Sequence, residues 1–155
     1  MVPTVTSSEQ HTPPLVGVEW VVEALGCDPA RLRDDAAPRG ACERLLAELG
    51  LHAVGPGRWH RFPAPGGVTG LYLLTESHLA CHTYPEHGLA TFNLYCCRPR
   101  PRWPWEERLG EALGAARVVV RMLERGEAVS ARSASEGQPV GPRSRFGLTD
   151  AEAPR

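Results

Sequence analysis

The sequence predicts an α+β protein, a two-layer α/β sandwich in which helices cover one face of a mainly antiparallel sheet. Short apolar segments rich in Val, Leu and aromatic residues follow one another in the middle of the chain with short connections. Segments whose apolar residues recur at helical spacing come before and after this series. At 155 residues and 42% hydrophobic content, the chain is long enough for one domain with a buried core.

The first predicted elements are a strand and a helix. Residues 15–25 (LVGVEWVVEAL) are rich in Val and form the predicted strand. Asp28 then fits the N-cap of a helix, with Pro29 at its first position, where a missing N–H costs nothing.

This helix is expected to be interrupted and then resumed. Pro38 and Gly40 are both poor helix formers, and we expect the break there. Residues 41–49 place three Leu on one helical face, and Gly50 fits the C-terminal stop.

The middle of the chain supplies the sheet. We predict strands over residues 51–62, 68–74, 79–84 and 89–97. Because the connections are short and residues 85–88 (PEHG) have turn composition, neighbouring strands are expected to pair antiparallel.

A second helix and a last strand complete the predicted domain, residues 15–126. Residues 105–116 carry Leu at helical spacing, and residues 117–123 (RVVVRML) are the last strand. Residues 1–14 and 127–155 are rich in Pro, Ser, Gly or Arg without periodicity, and we predict disordered tails there.

Composition limits the classes of partner and compartment. The net charge is −1, which argues against binding to nucleic acid or an anionic membrane and favours a small-molecule ligand or a second copy of the chain. The N-terminal residues lack the basic start and apolar block of a signal peptide, no apolar run is long enough to span a membrane, and the five Cys lack Cys-x-x-Cys spacing. We therefore expect a cytoplasmic protein with reduced thiols.

The chain contains no Lys, since all 17 basic residues are Arg. This excludes a lysine Schiff base, and with it the usual pyridoxal-phosphate chemistry of amines. Any carbonyl electrophile must be made from another residue of the chain or be brought in.

Polar residues interrupt the apolar pattern at one place. Glu76-Ser77-His78 stands between two predicted strands, and His82-Thr83-Tyr84-Pro85-Glu86 follows closely. Hydroxyls, carboxylates and imidazoles grouped in this way indicate a site.

These two motifs resemble the self-cleaving region of the bacterial and archaeal S-adenosylmethionine decarboxylases. The resemblance extends to Trp59-His60-Arg61-Phe62 and Gly67-Val68-Thr69-Gly70, and covers roughly Val18 to Gly126. It is specific because Ser77, His82, Glu86 and Cys97 all fall at the family's spacing.

The resemblance implies that the chain cleaves itself between Glu76 and Ser77. The Ser77 hydroxyl attacks the carbonyl of Glu76, elimination breaks the chain, and residue 77 becomes a covalent pyruvoyl group, the cofactor. The family assigns help in this step to the residues matching His82 and Thr69. For Ser77 and His82 to meet, the chain must bend between Thr75 and His78.

The resemblance also implies roles in decarboxylation. Cys97 matches the proton donor, Phe62 and Tyr84 are candidates for aromatic contacts with the sulfonium substrate, and Glu86 matches the residue that holds the ribose hydroxyls. It further implies that the product is the aminopropyl donor of spermidine biosynthesis, and that the active site lies where two protomers of a homodimer meet.

Three departures from the family pattern concern the substrate pocket. Glu19 is near the position where the family often has a His, Tyr84 replaces the family's Trp, and Asn93 replaces an acidic residue. Relatives with the same pyruvoyl chemistry decarboxylate ornithine or arginine, and this alternative stays open. An uncleaved paralogue that acts as a binding or regulatory partner is the other alternative.

The same residues allow other interpretations. A zinc site from His78, Cys81, His82 and Cys97 is disfavoured, because strand alternation separates Cys81 from His82, and we expect no metal. A hydrolase using Cys97 and His82 lacks any sign of an oxyanion hole. As further expectations, His60 and His87 have structural or surface roles, Cys81 and Cys96 pack in the core, and Phe62 and Tyr84 are alternatively core aromatics.

Overall fold

A computed structural model describes residues 17–125 of the chain. The predicted tails, residues 1–14 and 127–155, lie outside the described residues. The elements, in chain order, are β1 (Gly17–Leu25), α1 (Pro29–Arg33), α2 (Ala36–Glu48), β2 (Arg58–Arg61), β3 (Val68–Leu73), β4 (Ser77–Tyr84), β5 (Leu89–Cys96), α3 (Trp105–Leu113) and β6 (Arg117–Arg125), with a 3₁₀ turn at Pro85–His87 between β4 and β5.

The strands form one antiparallel sheet with the order β2-β3-β4-β5-β1-β6. Strands β2 to β5 pair as a meander, as the short connections predicted. Strand β1 then pairs with β5 on one side and with β6 on the other. The helices and the sheet form the predicted α+β sandwich, so the fold class is confirmed.

The two faces of the sheet differ because side chains alternate along each strand. One face packs against the helices and forms the core. Its members from the strands include Val22, Leu79 and Leu94, and its members from the helices include Leu45 and Leu109. The other face, here called the open face, carries half-buried and exposed side chains.

The predicted helix break was wrong. Pro38 and Gly40 lie inside α2, and the interruption falls instead at Asp34 and Asp35. Pro38 is tolerated because it is in the first turn of α2, where backbone N–H groups have no intrahelical acceptor. Asp35 is the N-cap residue of α2, and the side chain of the preceding Asp34 accepts a hydrogen bond from the N–H of Ala36 at 3.1 Å.

Strand boundaries also differ from the prediction. The segment 51–62 contains only the four-residue β2, because the Gly55-Pro56-Gly57 turn separates it from an isolated bridge at Ala53. Strand β4 begins at Ser77 rather than Leu79, and β6 continues to Arg125.

A buried hydroxyl fixes the open end of the β3–β4 hairpin. The Thr83 hydroxyl donates to the carbonyl of Leu32 in α1 and accepts from the N–H of Val68, both at 2.8 Å. Gly67, with φ of 152°, lets the chain pass close to this point, since a Cβ there would lie 2.6 Å from the Thr83 carbonyl oxygen. The loop before β3 is thereby held beside β4.

Candidate active site

The predicted cleavage point is a tight hairpin turn. Residues Leu74, Thr75 and Glu76 join β3 to β4, and the N–H of Leu74 donates to the carbonyl of Ser77 at 2.9 Å, which leaves a two-residue loop of Thr75 and Glu76. The N–H of Thr75 donates to the carbonyl of His52, also at 2.9 Å. The turn is therefore anchored to the chain segment that precedes β2.

Ser77 begins β4 with its side chain on the core face. It is opposite Cys96 in the β4–β5 register, and its hydroxyl is buried beside the Cys96 thiol, without a partner at good hydrogen-bond geometry among residues 17–125. Ser77, Glu76 and Arg100 share a small cavity of about 160 Å³. A buried hydroxyl that forms no hydrogen bond is costly, which marks this serine as a functional candidate.

Two arginines contact the residue before Ser77. One Glu76 carboxylate oxygen lies 3.3 Å from Arg98, and the other lies 3.4 Å from Arg100. Sequence reasoning missed both arginines, because residues 98–104 had the composition of a proline-rich connection. Only the pairing of β4 with β5 brings them beside the turn.

A larger cavity of about 320 Å³ opens near the opposite end of β4. This volume is within the range of small-molecule sites. It contains five of the predicted site residues together with loop residues before β3. The lining residues are Phe62, Pro63, Pro65, Gly66, Gly67, Thr69, His82, Thr83, Tyr84 and Glu86.

Polar and aromatic groups meet in this larger cavity. The Thr69 hydroxyl and Nδ1 of His82 are hydrogen bonded at 2.9 Å, across a directly paired position of β3 and β4. Phe62 and Tyr84 are 50% and 40% exposed, so both rings are accessible and neither is a core aromatic. Phe62 packs edge-on against His60, with 4.6 Å between ring centroids.

The structure does not bring Ser77 and His82 together within one chain. The bend falls at Thr75 and Glu76, and β4 then continues without interruption through His82. Five residues of strand separate the two by about 16 Å. They also lie on opposite faces, because Ser77 pairs with the buried Cys96 and His82 with Thr91 on the open face. The expected approach through a bend does not occur.

Cys97 lies just beyond β5 and is exposed, whereas Cys81 and Cys96 are buried in the core, as alternation predicted. Burial raises the pKa of the Cys96 thiol, and the nearby Arg100 and a contact with the Ser77 hydroxyl partly oppose this effect. For Cys81, a contact with the Cys42 side chain and burial both raise the thiol pKa. Neither buried thiol is suited to proton transfer near neutral pH.

Comparison with known proteins decides the family. The family model described as S-adenosylmethionine decarboxylase matches residues 18–126. This chain belongs to the S-adenosylmethionine decarboxylase family. The match covers α1, α2, α3 and every strand of the described sheet except for Gly17, the first residue of β1.

Individual relatives of the S-adenosylmethionine decarboxylase family agree with this assignment. An S-adenosylmethionine decarboxylase proenzyme of Prochlorococcus marinus is 38% identical over 117 residues, which is 72% of this chain and 88% of that protein. A proenzyme of the same name from Clostridium tetani is 32% identical over 116 residues, 72% of this chain and 87% of that protein. The crystal structure of adenosylmethionine decarboxylase from Aquifex aeolicus superposes with a TM-score of 0.61 at 26% identity, covering 74% of this chain and 93% of that one.

The prosthetic group of S-adenosylmethionine decarboxylases is a pyruvoyl group formed from a serine of the chain itself. Ser77 fits this precursor, because its buried hydroxyl has no hydrogen-bond partner in the described part of the chain and is directly after the turn residue Glu76. Among residues 17–125, no group of three or more His, Cys, Asp or Glu side chains is placed to hold a metal ion.

In this member of the S-adenosylmethionine decarboxylase family, two of the three departures contact each other. Asn93 donates a hydrogen bond to the Glu19 carboxylate at 2.7 Å, and Arg125 pairs with the same carboxylate. The Asn93 hydrogen bond, supported by Arg125, lowers the pKa of Glu19. Of the three departures, only Tyr84 is among the residues that line the larger cavity.

His78 and His87 are both outside the larger cavity of this S-adenosylmethionine decarboxylase relative. His78 stacks on Tyr95 on the open face, with 5.8 Å between ring centroids. His87 ends the 3₁₀ turn and is exposed, which fits a surface role. Within residues 17–125, none of the helices is both long and apolar enough to cross a membrane.

Proposed function

We propose that this chain is a self-processing, pyruvoyl-dependent decarboxylase that converts S-adenosylmethionine to decarboxylated S-adenosylmethionine, the aminopropyl donor for spermidine biosynthesis. The single observation that carries the proposal is the buried Ser77 hydroxyl, which lacks a partner in the described region and directly follows Glu76. The family assignment and the absence of lysine both support it.

Self-processing begins at the Ser77 hydroxyl. Its oxygen bonds to the carbonyl carbon of Glu76 while the C–N bond between the residues breaks, so the peptide becomes an ester with a free amine on residue 77. Removal of the Cα proton of residue 77 then expels the Glu76 carboxylate. One water replaces the nitrogen, ammonia leaves, and residue 77 becomes the new pyruvoyl N-terminus.

The larger cavity suits the adenosyl sulfonium part of the substrate. Phe62 and Tyr84 offer accessible ring faces, and a cation above such a ring gains roughly 0.5–2 kcal/mol. Glu86 is the only acidic residue that lines this cavity in the described chain. Its two oxygens are suited to accept hydrogen bonds from the two ribose hydroxyls.

The catalytic step needs an electron sink and a proton donor. The pyruvoyl carbonyl supplies the sink when it is formed, since it binds the substrate amine and accepts the electrons released with carbon dioxide. Cys97, exposed directly after β5, is proposed to deliver the proton to the substrate carbon. His82 and Thr69, joined by their hydrogen bond, are proposed to assist processing.

We also propose an isologous homodimer formed through the open face. Ser77 and His82 of one chain lie about 16 Å apart along β4. Any help of His82 in processing would therefore come from a second copy that reaches the Thr75-Glu76 turn at the end of this face, rather than the Ser77 hydroxyl on the core face. Leu71, Leu73 and Leu123 lie on the open face and are exposed, which favours burial against a partner. The unpaired thiols fit a reducing, cytoplasmic location.

Light scattering at micromolar concentration is expected to report a dimer. Leu73→Arg should shift the mass toward a monomer, because it places a charge on the face proposed to be buried. Met122→Arg is the matched control, since Met122 is also an exposed apolar strand residue but pairs with Trp20, on the face opposite to Leu73. A wild-type monomer at this concentration would exclude the dimer.

Release of labelled carbon dioxide is expected from S-adenosylmethionine, and not from ornithine or arginine, when the three are compared in parallel. A basic amino acid has no use for stacking rings, whereas the cavity presents Phe62 and Tyr84 beside Glu86, its single carboxylate in the described chain. Glu86→Gln should raise KM for S-adenosylmethionine by about tenfold through the loss of charge-assisted hydrogen bonds. Activity on ornithine or arginine alone would assign the other substrate class.

A further inference from the structure

The turn that carries the scissile bond has an unusual composition. Two-residue hairpin loops favour Gly or Asn, which adopt the positive φ of the preferred turn types. Here the loop is Thr75-Glu76, and no residue other than glycine has a positive φ in the part of the chain that the structure describes. The closing hydrogen bond from the Ser77 N–H to the Leu74 carbonyl is long, at 3.5 Å.

Contacts from outside the turn therefore hold it in place. On one side, the N–H of Thr75 donates to the His52 carbonyl. On the other side, the Glu76 carboxylate lies between two guanidinium groups. Arg98 contacts Oε1 at 3.3 Å, and Arg100 contacts Oε2 at 3.4 Å.

This arrangement restrains the orientation of Glu76 as well as its position. Each oxygen has its own arginine, so rotation of the carboxylate would lengthen at least one ion pair. Arg100 also lines the small cavity that contains Ser77, and its side chain is only 30% exposed. Solvent therefore screens the Arg100–Glu76 ion pair less than the Arg98–Glu76 ion pair, since the Arg98 side chain is 74% exposed.

We propose that Arg98 and Arg100 are positioning residues for self-cleavage. By holding the Glu76 side chain, they keep its carbonyl carbon within reach of the Ser77 hydroxyl. The inference rests on the proposed function, because it concerns the rate of the same cleavage step. The arginines act through Glu76 and take no part in bond making or proton transfer.

The test follows the cleavage of newly made precursor after pulse-labelled cell-free synthesis. The double variant Arg98→Ala/Arg100→Ala should cleave roughly 10- to 100-fold more slowly than the wild type, the effect expected when a reacting group is misplaced by a fraction of an ångström to 1 Å. The variant Arg98→Ala/Arg100→Lys should cleave faster than the double alanine variant, because the lysine restores a positive charge at position 100. Arg102→Ala is the matched control with wild-type rate, since Arg102 pairs with Glu106 instead.

A Glu76→Gln background separates positioning from general effects on the fold. If the arginines act through the Glu76 carboxylate, their removal should slow cleavage no further once that carboxylate is neutral. An equal slowing in both backgrounds would overturn the inference. Cleavage of the double arginine variant at the wild-type rate would also overturn it and leave the proposed function intact, whereas a wild-type chain that never cleaves would overturn the proposed function itself.

Discussion

Replacing Ser77 by alanine is expected to leave a folded, uncleaved chain with no decarboxylase activity. The hydroxyl oxygen of Ser77 is the only atom proposed to attack the Glu76 carbonyl, and without it no pyruvoyl group forms. Because that hydroxyl has no hydrogen-bond partner among residues 17–125, its removal should lower Tm little or even raise it. Denaturing gel electrophoresis and thermal unfolding measure the two effects.

Thr75→Ala is the matched control for this variant. Thr75 carries a hydroxyl in the same turn, two residues before Ser77, but its side chain is exposed. The control should therefore cleave at a rate close to that of the wild type. If the Ser77→Ala chain were still cut between residues 76 and 77, the serine would have no part in processing.

Replacing Cys97 by alanine is expected to separate processing from catalysis. Cleavage should proceed, since it depends on Ser77 and the proposed help of His82 and Thr69. Turnover of S-adenosylmethionine should fall by about 10²- to 10⁴-fold, the usual contribution of a positioned general acid. Protonation at the wrong carbon should also inactivate the remaining enzyme by transamination of the pyruvoyl group, so progress curves should bend downward with time.

Because Cys97 is exposed, its replacement should change catalysis without destabilising the fold. A cysteine at the surface is replaced without leaving a cavity, whereas the same change at the buried Cys96 would disturb the core. Cys97→Ser should keep normal processing and show intermediate turnover at best, because a hydroxyl is a far weaker acid than a thiol. Wild-type turnover and linear progress curves in Cys97→Ala would remove Cys97 from the mechanism.

The fold was largely predictable because its determinants are local. Alternation of apolar residues identified the strands, and short connections predicted the order of the meander. The two errors, the helix break at Pro38 and the start of β4, come from reading residue types without their position in the element. Composition predicts a break at Pro38, although a first-turn proline lacks only an N–H that would be unpaired in any case. The polar pattern places Ser77 and His78 between strands, although pairing with Cys96 and Tyr95 makes them part of β4.

The site was predictable only in part, because its geometry depends on contacts between distant segments. The motif spacing identified Thr69, His82, Tyr84 and Glu86, and these line one cavity because strands β3 and β4 pair directly. The separation of Ser77 from His82 was not expected, because the turn falls at Thr75 and Glu76, before Ser77, and β4 is extended from Ser77 through His82.

The arginines beside Glu76 illustrate the same limit. Nothing in the local composition of residues 98–104 relates Arg98 or Arg100 to a glutamate more than 20 residues earlier. Their contact with it follows from the register of β4 against β5, which places the end of β5 next to the start of β4. Sheet register is a property of several strands together, so one segment read alone does not reveal it.

Intact-mass analysis of the purified wild-type chain tests the central claim most directly. The account predicts two polypeptides, residues 1–76 and residues 77–155, with a pyruvoyl group in place of the amino group at the start of the second. A single 155-residue chain from protein that unfolds cooperatively would contradict the account, and would favour an uncleaved paralogue that binds or regulates a partner.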